Sequence, residues 1–185
     1  MSFLLRSATP EDSAAIARIN ADSWRDSYRG IVPDAVLERP LEADFLRQWR
    51  ALSVAQPGGQ MILVASDETG TLHGFISAGP GRRQPLGYDA EVYALYVSRG
   101  SRRMRLGSRL LGAAAQRLQL FGRMSLMLWV LEANQTARTF YLGLGGVEIG
   151  LRNERVYGAQ MPTVAYGWSR LSSLVDVCSD RMAVP

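Results

Sequence analysis

Five of the 21 basic residues, Arg99, Arg102, Arg103, Arg105 and Arg109, fall within residues 99–109, between the apolar run ALYV and the helix-like stretch SRLLGAAAQRLQLF. A guanidinium is a permanent cation with a planar fork of donors. Where a strand hands over to a helix, the helix start exposes unpaired N–H groups, and the helix dipole adds partial positive charge. Together these features bind phosphate, and several arginines suit a ligand that carries several phosphates. Gly107, inside RRMRLG, lacks a side chain and so lets a pyrophosphate approach the backbone. A solvated basic helix start explains the same residues as well, so the loop alone leaves both readings open.

Other chemistries have little material. Cys178 and His73 are each the single residue of their type, which excludes an internal disulfide, a thiolate cluster for zinc and a multi-histidine metal site. No metal is therefore expected. The formal charge of +4 is modest, and its concentration in one loop points to a local anion. A nucleic-acid binder would show a broad basic face with interleaved aromatics, so that partner ranks last. No run reaches the ~18 apolar residues of a membrane helix, and MSFLLRSATPEDS lacks a basic-then-apolar leader pattern. The expectation is no membrane partner and a cytoplasmic address.

The elements that must position the loop follow from periodicity. FLLRSA reads as an opening strand, and Thr9, Pro10 and Asp12 then mark a helix start. Ile16, Ile19, Ser23, Trp24 and Tyr28 continue that helix toward Gly30, and AVLERPLEADFLRQWRAL is a second helical stretch broken at Pro40. After the turn QPGG the period becomes strand-like through MILVAS, HGFISAG and YDAEVYALYV, which predicts an antiparallel meander. Leu106, Leu110, Leu111, Ala114, Leu118 and Phe121 line a helix, and SLMLWVL is an apolar strand covered on both faces. Ala137, Phe140, Tyr141 and Leu144 mark a further helix, and VEIGLRNERVY and MPTVAYGW close the chain as strands around Gly158. The order β-α-α-β-β-β-α-β-α-β-β predicts a mixed α/β (α+β) fold with a mostly antiparallel sheet. Residues 1–170 form a single domain in this reading, with 171–185 a polar tail.

EVYALYVSRGSRRMRLGSRLL followed by LWVLEANQTARTFYLGLGGVEIG resembles the GNAT superfamily of N-acetyltransferases. Arg102 and Gly107 match its Q/R-x-x-G-x-G/A signature, with Arg105 standing where the central glycine belongs, and Asn134, Ala137, Phe140 and Tyr141 match N-x-x-A-x-x-F-Y. The resemblance covers roughly residues 3–168 and implies a GNAT-like sheet with flanking helices. It implies an acyltransferase with acetyl-CoA as co-substrate, moving acetyl to a primary amine of a small molecule or peptide. It also allows a homodimer. Leu95, Tyr96 and Val97 would then meet the pantetheine arm. The stretch Arg102, Arg103, Met104, Arg105, Leu106, Gly107 and Ser108 would take the pyrophosphate. Asn134, Ala137 and Phe140 would complete the cofactor wall.

Tyr141 would donate to the departing thiolate, which the reference values of about 8.5 for a thiol and 10 for a phenol make credible. A core tyrosine is the plain alternative. Glu91 is the candidate base, placed by even spacing on one face with Tyr93, Leu95 and Val97 unless a bulge changes the parity; a surface carboxylate paired with an arginine is the alternative. Trp24 and Tyr28, one turn apart, would flank the acceptor, or simply pack. Asn134 has an N-cap as its structural alternative. A second function class is a degenerate GNAT module that binds CoA or a protein partner without catalysis, motivated by Arg105.

Overall fold

Short connections force neighbouring strands to run antiparallel, whereas a helix-length crossover permits parallel pairing. The computed structural model describes residues 2–55, 59–82, 86–156 and 158–183 and follows this rule. β1 (Leu4–Ser7), β2 (Met61–Ser66), β3 (Leu72–Pro80) and β4 (Ala90–Val97) pair antiparallel in succession. The chain then crosses through α4 (Leu106–Leu120) to β5 (Leu126–Leu131), which lies parallel to β4. β6 (Val147–Val156) and β7 (Ala159–Trp168) complete a seven-stranded sheet of order β1-β2-β3-β4-β5-β7-β6. This is the mixed, mostly antiparallel α/β fold expected. Of the expected turn at QPGG only Gly59 is described, and Tyr157 likewise lies outside the described residues.

Two helical layers cover the sheet. α1 (Ser13–Tyr28) and α3 (Leu41–Ala55) bury Ile16, Leu41, Phe45 and Trp49 against Ile62, Val64 and Phe75. On the other face α4 buries Leu106, Leu110, Leu111 and Ala114 against Ile76, Val92 and Leu128. Pro40 breaks the second helical stretch as expected, because its ring cannot continue a helix; α2 (Asp34–Leu37) and α3 lie on either side of it. At the first helix start the Asp12 carboxylate accepts from the Thr9 N–H at 2.8 Å and from Arg6 at 2.6 Å.

Two expectations are corrected. Residues 171–183 are no appended tail: they form α6 (Leu171–Ala183), and Leu171, Leu174 and Cys178 belong to the α4-side core. The reason is a three- and four-residue apolar spacing diluted by serines and aspartates. The strand parity of β4 is also corrected. Ser77 faces Ala94 while Ala78 faces Val92, so Tyr93 is an inserted, bulged residue. Val92, Leu95 and Val97 therefore pack toward α4, while Ala94 and Tyr96 pack toward α1 and α3. Glu91 alternates with Val92 and turns away from the face that Leu95 and Val97 share.

The α4–α6 contact is tight at Gly112, where an added Cβ would stand 2.8 Å from the Cβ of Cys178. Alanine ordinarily stabilises a helix interior by about 1 kcal/mol relative to glycine, but forcing extra volume into packed contact costs about 1–3 kcal/mol. Gly112→Ala should therefore destabilise the fold by roughly 1 kcal/mol, seen as a lower urea midpoint. A raised midpoint would show that α6 does not rest on α4.

Candidate active site

Pairing between β4 and β5 is confined to Glu91 with Met127 and Val92 with Leu128. Beyond that point β4 stays with β3 through Val97, while β5 stays with β7 through Leu131. The two neighbours diverge where Tyr93 is inserted, because a bulge bends the strand that carries it. A cleft of about 970 Å³ opens between them. Leu95, Tyr96 and Val97 line it from β4, and Arg102, Arg103, Arg105, Leu106, Gly107 and Ser108 from the following loop and helix start. Asn134, Ala137, Phe140 and Tyr141 line it from α5 (Gln135–Gly143) and its cap, and Tyr28 from α1. The structure thus brings together nearly every residue singled out in sequence. Met104, Trp24 and Glu91 are not among the lining residues.

The loop has a particular backbone. Arg99–Ser101 forms a single 3-10 turn, and Arg103 and Arg105 take positive φ values of 65° and 59°. Arg105 directly precedes α4 and is left-handed, the conformation that glycine adopts without penalty and other L-residues at about 1–2 kcal/mol. An arginine here keeps the backbone geometry that glycine would supply. Left-handed Arg105 followed by helical Leu106 is the kind of residue pair from which anion-binding nests are built. Gly107 also has a packing reason. A Cβ there would stand 3.2 Å from Phe140 Cζ, so the missing side chain lets α4 seat against α5.

The arginines divide by partner. Arg109 donates to the Phe3 carbonyl at 2.8 Å and ties α4 to the chain start. Arg99 and Arg102 approach Asp26 of α1 at 3.9 and 3.2 Å. Behind the loop the His73 ring bridges Asp67 at 2.9 Å and Ser101 at 2.8 Å, and the His73 carbonyl accepts from the Ser98 N–H at 2.8 Å. The His73 bond, followed by that of Thr69, holds the Asp67 carboxyl well below the usual carboxylate range. Sequence placed His73 correctly on a strand but gave no signal for this bridge, because its partners lie 6 and 28 residues away.

The other end of the cleft is phenolic. Tyr141 is 8% exposed, and burial, with the nearby Tyr28 phenol adding, pushes its pKa up. Tyr28 is raised by burial against opposing hydrogen bonds from the Tyr96 and Asn134 side chains. Tyr96 is raised by burial and by Tyr28. All three stay protonated at neutral pH. Trp24 braces this group from outside the cleft, donating from Nε1 to Tyr96 Oη at 3.0 Å and meeting the Tyr28 ring edge-on at 4.9 Å. Asn134 is an N-cap, its Oδ1 accepting from the Ala137 N–H at 3.1 Å.

Glu91 sits at the splay point and is 4% exposed. Its Oε2 accepts from the Arg82 N–H at 2.8 Å and its Oε1 from Arg82 Nη2 at 2.9 Å. The Arg82 guanidinium lies 3.9 Å over the ring of Tyr93, which lines the cleft. Sequence reasoning missed Arg82, which precedes the strand in an irregular connection. Among the described residues no group of three or more His, Cys, Asp or Glu side chains could hold a metal, and no helix is long and apolar enough to cross a membrane.

Residues 17–145 match the acetyltransferase (GNAT) family. The chain is 34% identical over 170 residues, 92% of its length and 95% of the relative's, to the Bacillus subtilis protein named uncharacterized N-acetyltransferase YuaI. It is 30% identical over 147 residues, 74% of its length and 75% of the relative's, to a probable N-acetyltransferase of Mycobacterium tuberculosis. Its fold matches the PaiA N-acetyltransferase of Thermoplasma acidophilum in complex with coenzyme A at a TM-score of 0.69, with 21% identity, 91% of this chain and 100% of that one. It matches an N-acetyltransferase from Staphylococcus aureus at a TM-score of 0.70, with 20% identity, 92% of this chain and 99% of that one. The chain belongs to the GNAT family of acetyltransferases, and is an acyltransferase by that membership.

The left-handed Arg105 can be tested directly. Glycine there would relieve about 1–2 kcal/mol of backbone strain and lose about 0.5–1 kcal/mol through unfolded-chain entropy. Arg105→Gly should thus be neutral or up to about 1 kcal/mol more stable, whereas β-branched Arg105→Val should lose about 1–2 kcal/mol. Equal urea midpoints for the two variants would mean that the loop is not left-handed at this position.

Proposed function

We propose that this protein is an acetyl-CoA-dependent N-acetyltransferase that transfers acetyl directly to a primary amine of a small molecule or peptide. One observation carries the reading: the cleft at the β4–β5 splay joins a cationic loop, with positive φ at Arg103 and Arg105, at one end to buried, protonated Tyr141 at the other. Such a cleft suits an elongated ligand with a polyphosphate tail and a reactive head. The fold relative crystallised with coenzyme A, and a Salmonella typhimurium acetyltransferase of similar fold with its cofactor acetyl-CoA, support the same ligand. The compartment in this reading is the cytoplasm.

Backbone groups of Leu95 and Val97, on the β4 edge that β5 has left, pair with the pantetheine arm. N–H groups from Arg103 to Ser108, with Arg102, Arg103 and Arg105, hold the pyrophosphate. The amine nitrogen attacks the thioester carbonyl, the C–N bond forms, the C–S bond breaks and the thiolate departs. Tyr141 donates a hydrogen bond to that sulfur; its raised pKa keeps it a donor rather than a source of free proton. Glu91 takes the amine proton. Because Glu91 lies behind the cleft wall, the proton reaches it through an intervening water once Arg82 yields one carboxylate oxygen. Tyr28 flanks the acceptor, and Trp24 positions it. The binding-only alternative loses its main motive, since Arg105 keeps the glycine-like backbone.

Isothermal titration with acetyl-CoA and thiol release with a panel of amines test this reading. Tyr141→Phe should lower kcat by about 10²-fold with acetyl-CoA affinity unchanged, the loss typical of removing one hydrogen bond to charge that develops in the transition state. Arg102→Ala should chiefly weaken cofactor affinity, by roughly tenfold for a charge-assisted contact. Folded protein that binds no acetyl-CoA would refute the proposal, and the reverse pattern in the two variants would overturn the roles.

A further inference from the structure

Asp26 lies near the end of α1 and lines the same cleft as the arginine loop. It is the one acid in a wall whose other charged residues are Arg102, Arg103 and Arg105, among the described residues. Its two carboxylate oxygens are divided between the loop's cations, with Arg102 Nη2 3.2 Å from Oδ2 and Arg99 Nη1 3.9 Å from Oδ1. The carboxylate is 27% exposed and the Arg102 side chain 39%, so the pair is open to the solvent and to a ligand. Asp26 also borders a smaller hollow of about 380 Å³ between α1 and the start of β3, so it is bounded by open space on two sides. Exposed ion pairs contribute little to folding. A single negative charge facing a diphosphate site does affect binding, because it repels the ligand and occupies its donors.

We propose that Asp26 is an internal counter-anion of the phosphate loop. It holds Arg99 and Arg102 while the site is free and sets the affinity for the cofactor by competing with the incoming diphosphate for those guanidiniums. The proposal rests on the reading of the cleft as the coenzyme A site. Acetylated and free coenzyme carry the same diphosphate, so one carboxylate weakens the hold on substrate and product alike. Asp26 re-forms its pairs as the product leaves, which favours release.

Isothermal titration with coenzyme A, on the full chain in low and high salt, tests this. Asp26→Asn should lower the Kd about three- to tenfold at low salt, and the gain should shrink below about twofold at high salt as screening removes the charge effect. Asp26→Glu should bind like the unmodified protein. In a chain already carrying Arg99→Gln and Arg102→Gln the gain from Asp26→Asn should largely disappear, which separates competition for these arginines from simple repulsion. Unchanged or weaker binding by a folded Asp26→Asn protein overturns the proposal, as does a gain that persists without the two arginines. Should the asparagine variant not fold, Asp26→Ser removes the same charge and is read in the same way. If the unmodified protein binds coenzyme A and the variant gains nothing, only this proposal fails; if neither binds, the coenzyme A reading fails and takes this proposal with it.

Discussion

One inserted residue organises this molecule. Tyr93 adds a residue to β4 that β3 does not match, and the resulting bend ends the parallel pairing with β5 after two residue pairs. A parallel pair that continued would close the sheet and bury its centre. The bend instead leaves one backbone edge of β4 facing open space, with donors and acceptors at the regular strand spacing. It also changes the parity of β4, turning Leu95 and Val97 toward α4 and Tyr96 toward α1 and α3.

Charge and burial are distributed along the cleft that results. The loop end is cationic and partly exposed, where fixed guanidiniums and N–H groups can meet a polyanion without prior desolvation. The opposite end is more buried, and burial holds the phenols of Tyr28, Tyr96 and Tyr141 above their ordinary pKa, so all three are neutral donors. The loop is held from behind by the Asp67–His73–Ser101 bridge and from across the cleft by Asp26. Left-handed Arg105 persists because these anchors and the start of α4 determine its backbone, an example of local strain sustained by its surroundings.

Much of the fold was legible because its elements have clean periods. The apolar β5, the α4 stripe, the β2–β3–β4 meander and the Pro40 break each express a local rule. α6 was not legible, since its core residues Leu171, Leu174 and Cys178 are separated by serines and an aspartate and acquire meaning only against Gly112 of α4. Within the site, the arginine loop, Asn134 and Tyr141 were readable as types at a spacing. The Arg82 bonds to Glu91, the His73 bridge and the Trp24–Tyr96 bond were not, because each joins residues that no periodicity relates.

The amino-acid sequence by itself determined the order of strands and main helices as far as β7, the cationic loop at a strand-to-helix junction and the family motifs, because these depend on residue types a few positions apart. Tertiary structure alone decided which face Glu91 takes, that Gly107 serves helix packing against Phe140, and that Asp26 meets Arg102. Those outcomes depend on where a bulge falls and which distant elements are pressed together, and neither is encoded in any short window of the chain.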